Sequence, residues 1–112
     1  MERGEDDLHF QVQCPLGAMI RTTKAYWEII TRIKHPQIQG KEEAVKHTLR
    51  NPIFIRQSKS DPKIYLFYSR DKTHYLCVVA RVLNGEGFII TAYITSKIVE
   101  GTLIWTKEQA KK

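Results

Sequence analysis

The sequence predicts an α+β domain in which two N-terminal helices pack on a four-stranded antiparallel sheet, preceded by a short β-hairpin. Three observations carry this. Residues 73–95 hold two runs of β-branched and aromatic residues around Asn84-Gly85-Glu86-Gly87, where glycine tolerates the positive φ of a tight reversal, and so read as an antiparallel hairpin. Upstream, two stretches place apolar residues at helical spacing between a start signal and a proline stop. Between them and the hairpin lie two shorter strand-like runs, separated by Lys59-Ser60-Asp61-Pro62.

Leu8, Phe10 and Val12 alternate with His9, Gln11 and Gln13, the period of a strand buried on one face. Cys14-Pro15-Leu16-Gly17 breaks it, and Met19-Ile20 starts a short return strand. Thr22 or Thr23 caps a helix running to about Lys34, with Trp27, Ile30 and Ile33 turned to the core. Pro36 stops it, because the residue before a proline is pushed out of the α region, and His35 is left at the helix end. Gly40-Lys41-Glu42-Glu43 opens a second helix, with its acids where the backbone dipole favours them and Ala44, Val45, Thr48 and Leu49 inward. Asn51-Pro52 ends it. Strands over 53–58 and 64–68 follow, and Arg70-Asp71-Lys72 turns the chain into the hairpin. Residues 97–101 are expected to form one helical turn and 102–105 a last short strand. The ends, 1–7 and 106–112, are expected to fray from a single domain spanning 1–112.

Charge is uneven along the chain. Residues 32–81 hold eleven Lys and Arg against four Asp and Glu, within a formal net charge of +6. A basic centre suits a phosphate-rich partner, since Lys and Arg displace condensed counterions from a nucleic-acid backbone. No apolar run approaches the ~20 residues of a membrane span, and the charged start does not resemble a secretory signal; the expected location is cytoplasmic. Cys14 and Cys77 have no metal-ligand spacing with each other or with a His, and Cys77 is expected to be a small buried hydrophobe.

Several chemistries lack their residues. There is no glycine-rich phosphate loop, no carboxylate pair within a predicted strand or within a helix beyond the first-turn Glu42-Glu43, and no Ser at a strand-to-helix elbow. Asp61 and Asp71 fall in turns, which counts against a metal-dependent nuclease. The remaining set is metal-free: His35, Arg50, Arg56, Ser58, Lys59, Arg81, Thr91 and Tyr93. RNA cleavage needs a base for the 2′-hydroxyl, an acid for the leaving 5′-oxygen and cations for the charge on the phosphorane-like transition state, and these residue types supply all three. With a three-residue loop at Gly85-Glu86-Gly87, Arg81 faces Thr91 and shares one sheet face with it and Tyr93; with two or four loop residues it pairs Ile90 and the group splits. His9, His47 and His74 are expected at the solvated surface.

The order of elements and the residues in them resemble the superfamily of barnase, EndoU, colicin-type and RelE-type ribonucleases, in particular its phage- and toxin-associated branches. There a His follows the first helix, here Lys34-His35-Pro36; a helix ending in Asn-Pro or Asp-Pro leads into the first strand, here Leu49-Arg50-Asn51-Pro52; and a Thr-Ala-Tyr strand contributes two hydroxyls, here within Ile89-Ile90-Thr91-Ala92-Tyr93. The similarity spans about residues 20–105. It implies metal-independent RNA cleavage through a 2′,3′-cyclic phosphate, without a cofactor, by a toxin or phage-related effector that an antitoxin or immunity protein would restrain. His35 would be the acid-base residue, and Thr91 and Tyr93 would orient phosphate and base. Arg81, Arg56 and Lys59, with Arg50 and Ser58, would bind phosphate, a choice made by charge and strand direction more than by motif. The sequence departs from the EndoU pattern in lacking a second well-placed His, which leaves His47, His74 or, as in RelE-type members, a Lys or Arg for the acid. The competing expectation is a catalytically inactive RNA- or protein-binding domain of the same fold; a domain whose charge has no ligand is the third.

Overall fold

The structure, a computed structural model, describes residues 7–110. Strands β1 (Leu8–Gln13) and β2 (Met19–Thr23) form the first hairpin, and α1 (Lys24–Ile29) follows, continuing as a π-helical turn over Ile30–Lys34 and a 3-10 turn over Pro36–Ile38. Helix α2 (Glu42–Arg50) leads to β3 (Phe54–Ser58), β4 (Ile64–Asp71), β5 (His74–Leu83), β6 (Glu86–Thr95), β7 (Gly101–Thr106) and a terminal turn α3 (Lys107–Ala110).

The expectation of two helices on a four-stranded antiparallel sheet is overturned. All seven strands form one mixed sheet in the order β1-β2-β6-β5-β4-β3-β7, and the helices are short. The first hairpin does not precede the sheet but extends it, because β2 pairs in parallel with β6 from Met19↔Glu86 to Arg21↔Phe88. Gly87 makes this possible: a Cβ there would stand 2.8 Å from both the Arg81 carbonyl oxygen and Ile20 Cδ1. At the other end β7 adds antiparallel to β3. Residues 97–101 form bends and the start of β7 instead of a helical turn, while Lys107–Ala110 is helical where a fraying tail is expected, with the Lys107 amide donating to the Ile53 carbonyl. The expected fraying of 1–6 and 111–112 lies outside the described residues.

The helices cover one face. Ile30, Ile38, Val45 and Leu49 are fully buried against Ile20, Ile55, Phe67, Val78, Ala80 and Ala92. Thr23 is the cap of α1, its hydroxyl accepting from the Tyr26 amide at 3.1 Å. Ile33, expected in the core, is 75% exposed. The helix widens before it, the His35 amide donating to Ile30 five residues back, and this shifts the phase of every later side chain. Ala44 is likewise exposed on α2.

The long hairpin turns over two residues, with Asn84 at φ 55° and Gly85 at φ 82°, so Leu83 pairs Glu86 and Arg81 pairs Phe88. Neither register expected for Arg81 holds. A β-bulge at Ile89–Ile90 then changes the parity, and Thr91 pairs Val79 while Tyr93 pairs Cys77. Without that extra residue Thr91 and Tyr93 would point under the helices. The bulge returns them to the face that carries Arg81.

Candidate functional site

The second sheet face is open along its margins, where Arg81 and Phe88 are exposed, and closed at its centre, where Tyr68 and Cys77 are fully buried and Leu66 nearly so. Among the described residues the connection between β6 and β7 crosses it, with Ile98 packed on the buried cluster and the Val99 amide donating to Tyr68 Oη at 2.9 Å. Register arranges this face in rows across the strands. One row is Phe54, Tyr68, Cys77, Tyr93; the next is Arg56, Leu66, Val79, Thr91; a third is Ile64, Arg81, Phe88.

His35 reaches the first row. It leaves the π-helical turn in an extended conformation, φ −144° and ψ 82°, and its ring lies 5.4 Å from that of Tyr93 at 45°. Beside it the exposed carbonyl of bulged Ile90 accepts from Tyr26 Oη at 2.8 Å and Lys34 Nζ at 3.1 Å, and Lys34 also donates to Tyr26 Oη at 2.8 Å. Burial, reinforced by Cys77, raises the Tyr93 hydroxyl well above the ordinary phenol range, so at neutral pH Tyr93 donates hydrogen bonds and does not act as a base. Burial also pushes the Cys77 thiol up to about 11, against hydrogen bonds to Tyr93 and Tyr68 that favour the thiolate. Thr91 Oγ1 is buried with no hydrogen-bond partner.

The four expected catalytic residues share this face but not one pocket. His35 and Tyr93 touch and Thr91 stands one row away, whereas Arg81 is four residues along β5 from Cys77, about 13 Å. Its guanidinium is 3.8 Å from Asp61, both half-exposed, a pairing that water weakens to little net energy. No interior acid neutralises it among the described residues.

The expected phosphate ligands lie elsewhere. Arg56 is on the Thr91 row but three strands over, about 14 Å. Its Nη1 donates to the Gly101 carbonyl at 2.8 Å, tying β3 to β7. Ser58 Oγ accepts from the Ser60 amide at 3.2 Å, Lys59 lies 3.8 Å from Glu100, and Arg50 ends α2 on the helix-covered side. Of the other histidines, His9 is not a solvated residue: it donates to Glu42 at 2.8 Å and stacks on Trp27. His47 and His74 are exposed.

Sequence reasoning missed Arg21 and Phe88. The Arg21 guanidinium lies 4.8 Å from the Phe88 ring centroid, and the same open face carries Arg70 at 5.0 Å from Tyr75 and Arg56 at 5.6 Å from Phe54. Arg21 alternates with buried Ile20 and Thr22 and so could have been read as outward-facing; its meeting with Phe88 depends on the parallel pairing, which leaves no local signal.

Among the described residues no three His, Cys, Asp or Glu side chains come together as a metal site, and no helix is long and apolar enough to cross a membrane. Comparison with protein-family models, with curated proteins and with solved structures finds no match to this chain.

Proposed function

We propose that the chain is a metal-independent endoribonuclease that holds an RNA strand along β6 on the open sheet face. The observation that carries this is the contact of the His35 imidazole with Tyr93, on a face whose margins carry the exposed Arg21, Arg70 and Arg81. Histidine is the side chain whose charge changes near neutral pH, which suits it to take the 2′-hydroxyl proton. The alkoxide attacks phosphorus, the bond from phosphorus to the 5′-oxygen breaks, and a 2′,3′-cyclic phosphate forms. Tyr93, kept protonated by burial and hydrogen-bonded to Cys77, holds the imidazole through its ring and must turn its hydroxyl from Cys77 to donate to a non-bridging phosphate oxygen. With no second histidine beside it, the leaving 5′-oxygen takes its proton from a cationic N–H, and Lys34, pinned at the Ile90 carbonyl, is the residue assigned. Support for the ribonuclease superfamily comes from the sequence motifs alone.

A second function is favoured by the Arg21–Phe88 and Arg70–Tyr75 pairs, which suit single strands by stacking and charge without needing an acid or a base: an inactive RNA-binding domain on the same face. RNA cleavage in EDTA separates the two. The nuclease cuts without added metal, and His35→Ala reduces the rate about 100-fold or more while RNA affinity stays within a few-fold. Salt-dependent binding with no cut product identifies the inactive domain, and affinity independent of salt removes both.

A further inference from the structure

We infer that the cleft between β2 and β6 is a nucleotide subsite, which takes one base of the RNA strand held along β6. This rests on the RNA-cleaving function proposed above and deepens it. The cleft exists because the parallel pairing lasts only three residues. β2 turns away at Thr22 to enter α1 as β6 bulges at Ile90, and the strands splay around a space of about 330 Å³, at the small end of small-ligand sites.

Its chemistry is that of a planar ring carrying an anion. Phe88 is 49% exposed, and the Arg21 guanidinium already occupies a stacking position on it. Ile90 and Tyr26 line the rest of a mostly apolar interior. At the mouth Arg81 joins Arg21, so two guanidiniums, one of them held only by a loose pair with Asp61, face an apolar slot. An uncharged apolar ligand would leave them unused, and inorganic phosphate would leave the aromatic wall unused. Thr22 adds a hydroxyl with no hydrogen-bond partner in the wall.

Position links the cleft to the proposed chemistry. Ile90 lines it, and Tyr93 stands three residues further along β6, about 10 Å. A strand running along β6 thus seats one base on Phe88 in the place Arg21 now occupies, five residues or about 16 Å before Tyr93, while a phosphate further along the strand lies at His35. The crevice along α2 near His47 and Arg70 has cationic residues too, but the Asp71 carboxylate lines it beside Lys41, and none of the described residues lining it is Phe, Tyr or Trp.

The test is an NMR titration of the full chain with each of the four nucleoside 5′-monophosphates, alongside ribose 5-phosphate and inorganic phosphate. At least one nucleotide is expected to saturate, with shifts at the Arg21, Phe88, Ile89 and Ile90 amides, and ribose 5-phosphate to bind at least tenfold more weakly. Phe88→Ala and, separately, Arg21→Ala are expected to weaken the nucleotide about 5- to 100-fold, the range of one base stacked on an aromatic side chain. Both side chains are solvent-exposed, and unchanged amide dispersion elsewhere verifies the fold. Ribose 5-phosphate binding as tightly as the nucleotides, shifts gathered away from the cleft, or unaltered affinity in both variants would overturn the inference. Failure of the two proposals is distinguishable. If the chain cuts no RNA yet a nucleotide saturates the cleft, the nuclease falls and the subsite stands. If it cuts RNA with unchanged kcat/KM in Phe88→Ala, the subsite falls and the nuclease stands.

Discussion

Gly87→Ala tests the feature on which both the sheet and the cleft depend, the seating of β2 against β6. The new Cβ would meet the Arg81 carbonyl oxygen and Ile20 Cδ1 at 2.8 Å each, and Val82 Cγ2 at 3.1 Å. Relief to ordinary contact at 3.4 Å needs movement of roughly 0.6 Å from a backbone group held in the ladder and from a fully buried side chain. Overpacking of this kind costs about 1–3 kcal/mol. Alanine's smaller entropy loss on folding offsets about 0.5–1 kcal/mol. A net loss of about 1–2 kcal/mol lowers Tm by about 4–8 °C for a chain of this size. The decisive measurement is a double-mutant cycle with Ile20→Val, which removes Cδ1 alone and by itself costs about 1 kcal/mol. In the pair the two losses should sum to less than their separate values by about 0.5–1 kcal/mol, because the second change relieves part of the clash of the first. Gly85→Ala serves as control: its residue has φ 82° and nothing within 4 Å, so it is destabilising through backbone conformation and should not couple to Ile20→Val. Strict additivity for Gly87→Ala with Ile20→Val would refute the parallel pairing.

Three further expectations follow from other contacts. The folded Cys77 thiol titrates at about 11 against an ordinary 9.0, so the unfolded chain releases a proton that the folded one keeps; its contribution, about 3 kcal/mol at most, is intact below pH 9 and lost as pH rises towards 11. Tyr68 and Tyr93 shift in the same direction, and thermal melts from pH 8 to 11 should therefore fall steeply, and less so in Cys77→Ala; a flat profile would contradict the buried cluster. Thr48→Val should cost about 1–2 kcal/mol in urea denaturation at unchanged m, because Ser69 Oγ loses its 2.6 Å partner, and a neutral outcome would mean that water replaces it freely. Arg56→Met should lower stability by about 1 kcal/mol through the lost bond to Gly101 while leaving the salt slope of RNA binding unaltered, whereas a slope smaller by about one would restore Arg56 as a phosphate ligand.

Where local chemistry decides conformation, the sequence by itself was sufficient. Thr23 caps α1, Pro36 ends the helical run beside His35, Glu42 and Glu43 open α2, and a reversal falls within Asn84–Gly87, each through effects confined to a few neighbouring residues, although the turn uses Asn84-Gly85 and not the expected Gly85-Glu86-Gly87. The placement of His35 at a helix end and of Arg81, Thr91 and Tyr93 in strands was legible on the same grounds. What only the tertiary structure decided was which strands meet and in what register. A strand's hydrogen-bonding groups are alike along its length, so the partner is chosen by side-chain fit between segments far apart in the chain: Ile20 closing on bare Gly87, and β7 approaching β3 at Gly101, where a Cβ would stand 2.7 Å from the Gln57 carbonyl oxygen. The single extra residue at Ile90 belongs to the same class. It carries no turn signal, yet it determines whether Thr91 and Tyr93 lie under the helices or on the open face with His35, because side chains alternate along a strand and one inserted residue exchanges the faces of all that follow.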